Sequence, residues 1–266
     1  MKTKIELLSE IGDKHLERRL LERVRKASQK TGIKCRALIM FKFETWKNAH
    51  EKGEYMVIQG RKIPTTVSVA GLPSTLCTTK GLIFFCKDIP EARYSEPSEE
   101  KMTHELLHED YDKRSLKTYG DKLVQDMERK DKRITAWLRI ALEEFINMNI
   151  DGYVTNLYGP NYEDEISSYC KNWIKMMEDA KTVKLRKENN LARILCLFEG
   201  CEFYARSPSH EKEILDILEG LGQNSGEFEN VLLIAELYRN AYEKGKKGEK
   251  AEIEDLRKFH QAIVAR

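Results

Sequence analysis

Proline sets the first limit on this chain. Pro64, Pro73, Pro90 and Pro97 interrupt the segment up to Ser98, and the next is Pro160. Proline lacks a backbone N–H and has a fixed φ, so helix interiors exclude it. The first hundred residues are therefore broken into short pieces, while the stretch after Ser98 has room for long helices. The spacing predicts one over Ser115–Lys132 and another over Ile134–Met148. In the second, Ile134, Trp137, Leu138, Ala141, Leu142, Phe145 and Ile146 recur at three- and four-residue steps, a stripe broad enough for a buried bundle member.

Helical periodicity also marks both ends. Leu16, Leu20, Val24 and Ala27 predict an amphipathic helix from Lys14 to Thr31-Gly32. Further stripes at Ile166/Tyr169/Trp173/Met177, Leu191/Ile194/Leu195/Phe198, Ile214/Ile217/Leu218, Val231/Ile234/Leu237/Tyr238 and Ile253/Leu256/Phe259/Ile263 predict antiparallel helices in a bundle. The run Lys244–Lys250 reads as a soft linker before the last of them.

Two segments follow other rules. Ala37–Ala49 is too densely apolar to separate helix from strand by period, and Lys47–His50 followed by Gly53 favours helix. Glu54–Val69, with Val57-Ile58 and Thr65–Val69 around Gly60 and Pro64, reads as a short hairpin. Gly159-Pro160, beside an acidic run to Glu165, marks a boundary. The expected fold is mainly α, with two helical-bundle domains, 1–160 and 161–266, and a small β-hairpin insertion near 54–69. A chain of 266 residues has ample length to bury a core without disulfides or metal.

Charge speaks through clusters, because 46 basic residues nearly cancel 44 acidic ones. The densest cluster, Lys14 to Arg36, holds Arg18, Arg19, Arg23, Arg25 and Lys26 among nine cations, against Glu17 and Glu22. A second comprises Arg129, Lys130, Lys132 and Arg133, and a third Lys181, Lys184, Arg186 and Lys187. Each attracts phosphate, on RNA or on anionic lipid. The six cysteines form no C-x-x-C pair, the first residues lack a signal-peptide core, and no apolar run approaches the roughly 20 residues that span a bilayer. Reduced thiols and a cytosolic or nuclear setting are expected.

Phosphate-loop, dinucleotide and nucleophile-elbow signatures are missing from the sequence. One catalytic pattern is present. His104-Glu105-Leu106-Leu107-His108 matches H-E-x-x-H, in which two histidines one helical turn apart hold zinc and the glutamate serves as base. Its flank, Asp110-Tyr111-Asp112, does not read as an apolar helix, and the one acid at a useful downstream distance, Glu128, sits in the basic run Met127-Glu128-Arg129-Lys130. The competing reading is two solvent-facing histidines on a short helix. Such a pair would still be a candidate pH-sensing surface, because imidazole titrates near a pH of roughly 6.5.

Three fragments, in order, resemble the influenza-type matrix protein family. Thr79-Lys80-Gly81-Leu82-Ile83-Phe84-Phe85, followed by Pro90 and Arg93, is similar to that family's Thr-Lys-Gly-Ile-Leu-Gly-Phe stretch. Arg129–Thr135 resembles its Arg-Lys-Leu-Lys-Arg segment, and Gly152–Gly159 its Gly-Leu-Ile-Tyr-Asn-Arg-Met-Gly. Length and an unmatched C-terminal half point within the orthomyxoviruses to the thogotovirus type. The resemblance implies a structural, non-enzymatic viral matrix protein. It would self-associate beneath the virion envelope and bridge viral ribonucleoprotein, RNA and the anionic inner face of the plasma membrane, with passage through host cytoplasm and nucleus. Arg129, Lys130, Lys132, Arg133 and the basic helix would make those contacts. No cofactor is expected, and no metal, since only Cys170 stands where the family has Cys-Cys-His-His. Two other readings stand beside it: a zinc-dependent hydrolase built on residues 104–108, and an α/β nucleic-acid-binding module with strands near 37–43, 55–69 and 82–86.

Overall fold

The computed structural model describes residues 4–65, 76–89, 96–113, 116–128, 135–179, 190–222 and 228–264. The fold is mainly α, and the chain divides into two units, Met1–Lys113 and Arg114–Arg266.

The first unit is not the helical bundle expected of residues 1–160. It contains β1 (Glu6–Ser9), α1 (Lys14–Thr31), β2 (Ala37–Lys42), α2 (Phe43–Glu51), β3 (Met56–Ile58), β4 (Arg61–Ile63), β5 (Leu76–Thr79), β6 (Leu82–Lys87) and α3 (Glu99–Lys113). Four strands form a sheet in the order β1-β2-β6-β5. β1, β2 and β6 run parallel, while β5 is antiparallel to β6. The dense apolar run that period could not classify is strand to Lys42 and helix from Phe43. An unbroken run of buried residues, Ala37 to Phe41, marks a strand covered on both faces. One face carries Leu8, Ala37, Ile39, Phe41, Phe84 and Cys86, packed against Trp46 and Ala49 of α2 and against Met56, Ile58 and Ile63 of the hairpin. The alternate set, Leu38, Met40, Ile83 and Phe85, is equally buried, and α1 and α3 pack on each other and on the sheet.

Local chemistry fixes the ends of these elements. Asp13 caps α1 by accepting from the backbone N–H of His15 at 3.1 Å and of Leu16 at 3.0 Å, and Gly32 closes the helix at φ 70°. The hairpin turns at Gln59 and Gly60, with φ of 49° and 76°, the left-handed pair that a two-residue turn demands. It joins Met56–Ile58 to Arg61–Ile63, so the hairpin expected near 54–69 is present in its first part, and residues 66–69 lie outside the described set.

The second unit holds α4 (Leu116–Glu128), α5 (Thr135–Tyr158), α6 (Pro160–Glu178), α7 (Asn190–Arg206), a 3-10 turn at Pro208–His210, α8 (Glu211–Gly222), α9 (Phe228–Lys246) and α10 (Ile253–Val264). The division at Lys113/Arg114 keeps α4 to α10 in one unit, and Gly159 at φ 68° is a bend between α5 and α6. The reason is that α5 is the partner of α9. Gly152 and Gly245 face each other there so closely that a Cβ on either would run into the backbone of the other helix. Tyr238 donates to the Ala141 carbonyl at 3.1 Å, and Arg206 of α7 pairs with Asp151 of α5 and, at 3.0 Å, with Glu202. The Lys244–Lys250 run is no soft linker, since α9 continues through Lys246. The side chain of Asn149 then ties the turn down, donating to the carbonyls of Ala241 at 2.8 Å and Glu249 at 3.1 Å and accepting from the Ala251 N–H at 2.6 Å.

Asn149→Ala leaves one buried N–H and two carbonyls without their partner, so urea denaturation is expected to show a loss of about 3 kcal/mol. Gly152→Ala forces two helix backbones apart and is expected to cost at least about as much.

Candidate functional site

The strongest candidate lies on α3, the 15-residue helix that carries the H-E-x-x-H pattern. Ser98 starts it: its hydroxyl accepts from the N–H of Lys101 at 3.2 Å and its carbonyl from that of Met102 at 3.1 Å. Glu99 and Glu100 then suit the positive end of the helix. Met102, Thr103, Leu106, Leu107 and Tyr111 are all buried. The flank is therefore amphipathic, and the two histidines sit on a 15-residue helix, half-buried rather than fully exposed. Its acidic letters hid Tyr111, which completes the apolar stripe begun by Met102 and Leu106.

His104 and His108 are half-buried, one turn apart on one face. Their Nε2 atoms stand 3.2 Å from each other, with ring centroids 4.9 Å apart and planes at 71°. Two imidazoles this close share a hydrogen bond when one nitrogen carries a proton and the other accepts it. Two neutral rings can instead turn both lone pairs on one cation. Glu105 is half-buried beside them, and Glu109, one residue past His108, is only 7% exposed. Glu109 Oε1 has no hydrogen-bond partner among the described residues. Sequence reading passed over that carboxyl, because nothing in the letters sets it apart from its acidic neighbours.

A second residue the sequence did not reveal is Glu96, which ties the chain just before α3 to α1. Its carboxylate receives a two-point bond from Arg19, at 3.0 and 2.9 Å, and a contact from Arg23 at 2.7 Å, while Arg23 also donates to the Pro97 carbonyl at 2.7 Å. The Arg19 hydrogen bond, strong enough to outweigh partial burial, holds the Glu96 carboxyl below its ordinary range. Seventy-seven residues separate Glu96 from Arg19, so no local pattern could join them.

The structure thus splits the basic helix. Arg19 and Arg23 serve the fold, while Arg18, Arg25 and Lys26 stand exposed on the outer face. Arg129, Lys130, Lys132 and Arg133 lie outside the described residues, as do Lys181, Lys184, Arg186 and Lys187. Glu128 ends α4, and its side chain is likewise outside the described set. Among the described residues, no group of three His, Cys, Asp or Glu is placed to hold a metal ion, and no helix is long and apolar enough to cross a membrane. Comparison with protein-family models, with curated proteins and with solved structures returns no match.

A depressed carboxyl stabilises the fold above its unfolded pKa, and that contribution disappears as pH falls through the folded value. Glu96→Gln is accordingly expected to lower the melting temperature at neutral pH, by the equivalent of about 1 kcal/mol. The gap to the wild type should close below a pH of about 4.5, the ordinary range of a glutamate. Scanning calorimetry at both pH values checks it.

Proposed function

We propose that this chain is a zinc-dependent hydrolase with His104 and His108 as metal ligands and Glu105 as general base. The observation that carries the reading is the 3.2 Å separation of the two Nε2 atoms. With zinc–nitrogen bonds of about 2.0–2.1 Å, that spacing corresponds to a ligand–metal–ligand angle of about 100–106°, close to tetrahedral. Two imidazoles on successive turns of a partly buried helix are two of the donors that zinc takes. A catalytic zinc has three protein ligands and one open position, and His104 and His108 would supply two of the three.

When bound, zinc lowers the pKa of a coordinated water to about 7 and so supplies hydroxide at neutral pH. The residues of the chain do the rest. The core contacts of Met102, Leu106 and Tyr111 hold α3 in place, and Glu105, next to the first histidine, takes a proton from the attacking water and passes it to the leaving group.

A matrix-type scaffold that contacts ribonucleoprotein and anionic membrane is the second reading, favoured by the exposed cations of α1. The sheet in the first unit weighs against it, because the resemblance implies helical bundles there.

Metal analysis separates the two. Protein purified without chelator is expected to carry about one zinc per chain, lost in His104→Ala and in His108→Ala with helix content unchanged. Glu105→Gln should keep the metal and lose at least about 100-fold of the hydrolysis of a fluorogenic peptide mixture. Zinc content that is equally low in wild type and both histidine variants would sink the hydrolase and leave the scaffold.

A further inference from the structure

We propose that the outward face of α1 binds the phosphate backbone of double-stranded nucleic acid without reading its sequence. Leu16, Leu20, Val24 and Ala27 of this helix are buried, which turns the opposite side to solvent. Lys14, Arg18, Glu22, Arg25 and Lys26 are all exposed there. Glu22 is the one acid on that face, and it lies 3.9 Å from Arg25, too far for a hydrogen bond. Arg18 and Lys26 form no ion pair among the described residues. Lys14 reaches Glu17 at 3.0 Å with one of its three protons, and its side chain is 84% exposed. Arg19 and Arg23, held by Glu96, are left out of the count. The four remaining cations span about 18 Å of helix at about 1.5 Å per residue. The core behind the helix fixes them in a row before any partner arrives.

Three polyanions match that charge, and the rest of the helix distinguishes them. A bilayer binds a cationic helix firmly when apolar side chains also enter it, but the apolar side chains of α1 are already inside the protein. Charge alone adds about fivefold per cation at such a surface. Single strands draw affinity from stacking on aromatic rings, and this face offers no Phe, Tyr or Trp. A duplex needs neither. It carries one phosphate per about 1.7 Å of axis and releases condensed counterions to each cation that docks.

The inference is independent of the histidine pair on α3. Fluorescence anisotropy of the full chain with labelled duplexes of about 20 base pairs, at salt between about 50 and 200 mM, tests it. Two unrelated sequences should bind equally, and log affinity should fall against log salt with a slope of about −3 to −4. The triple variant Arg18→Glu, Arg25→Glu, Lys26→Glu should lose at least about 20-fold at low salt and bring the slope near −1, with circular dichroism and zinc content unchanged. Arg18→Lys with Arg25→Lys should bind as the wild type does, because charge rather than fork geometry is at work. The proposal falls if no duplex binds at low salt, if the charge-reversed variant binds as tightly as the wild type, or if phosphatidylserine vesicles bind where the duplex does not.

Discussion

Strand β2 is apolar on both faces, and the first unit is arranged around covering it. Its residues Ala37 to Phe41 are all buried, and a fully buried aliphatic or aromatic side chain is worth roughly 1.5–3 kcal/mol. Parallel neighbours cannot be joined by a tight turn, so the chain leaves β1, crosses as α1 and returns as β2. That crossover puts the apolar stripe of α1 against the sheet and leaves its cations outside. On the other face α2 and the hairpin close the layer. The helix after β6 packs on α1, which makes α3 half-buried and gives its histidines a fixed backbone. Both functional proposals therefore rest on the same requirement.

Elements governed by their own residues were legible in the sequence. The period of Leu16, Leu20, Val24 and Ala27, with Gly32 beyond, gives α1 almost to the residue. The proline-free stretch yields α4 and α5, although α5 continues ten residues past Met148 to Tyr158. Partner choice decided the rest. Ala37–Ala49 splits into strand and helix because Ala37 pairs with Glu6 on one side and Leu82 on the other, and neither neighbour is visible from within the segment. The Gly159-Pro160 pair shows the same dependence. Gly159-Pro160 has the chemistry of a break, yet Pro160 sits where a helix accepts proline, at its first turn.

Local likeness also has a limit. Thr79 to Phe85, one of the fragments that resembled a helical matrix protein, is a tight turn at Lys80 and Gly81, with φ of 50° and 72°, leading from β5 into β6. The conformation of that string is set by its pairing with β2 on one side and β5 on the other. For the candidate site, the positions of His104 and His108 were plain from their spacing, but their burial depended on Met102, Leu106 and Tyr111, half-hidden among acids. Glu96 and Glu109 were not legible at all, since the first is bonded to arginines far away in the chain and the second is set apart only by its burial.

The turn after α9 carries a different lesson about composition. Lysines and glycines from Lys244 to Lys250 suggest a segment that would accept almost any length. In the fold, one amide side chain grips it at three points, and Lys244 pairs with Asp255 at 2.6 Å across the turn. Adding or removing a residue there would move Glu249 and Ala251 out of reach of Asn149 together. The segment therefore works as a ruler between α9 and α10. An evolving or engineered chain can change its letters more freely than it can change its number of residues.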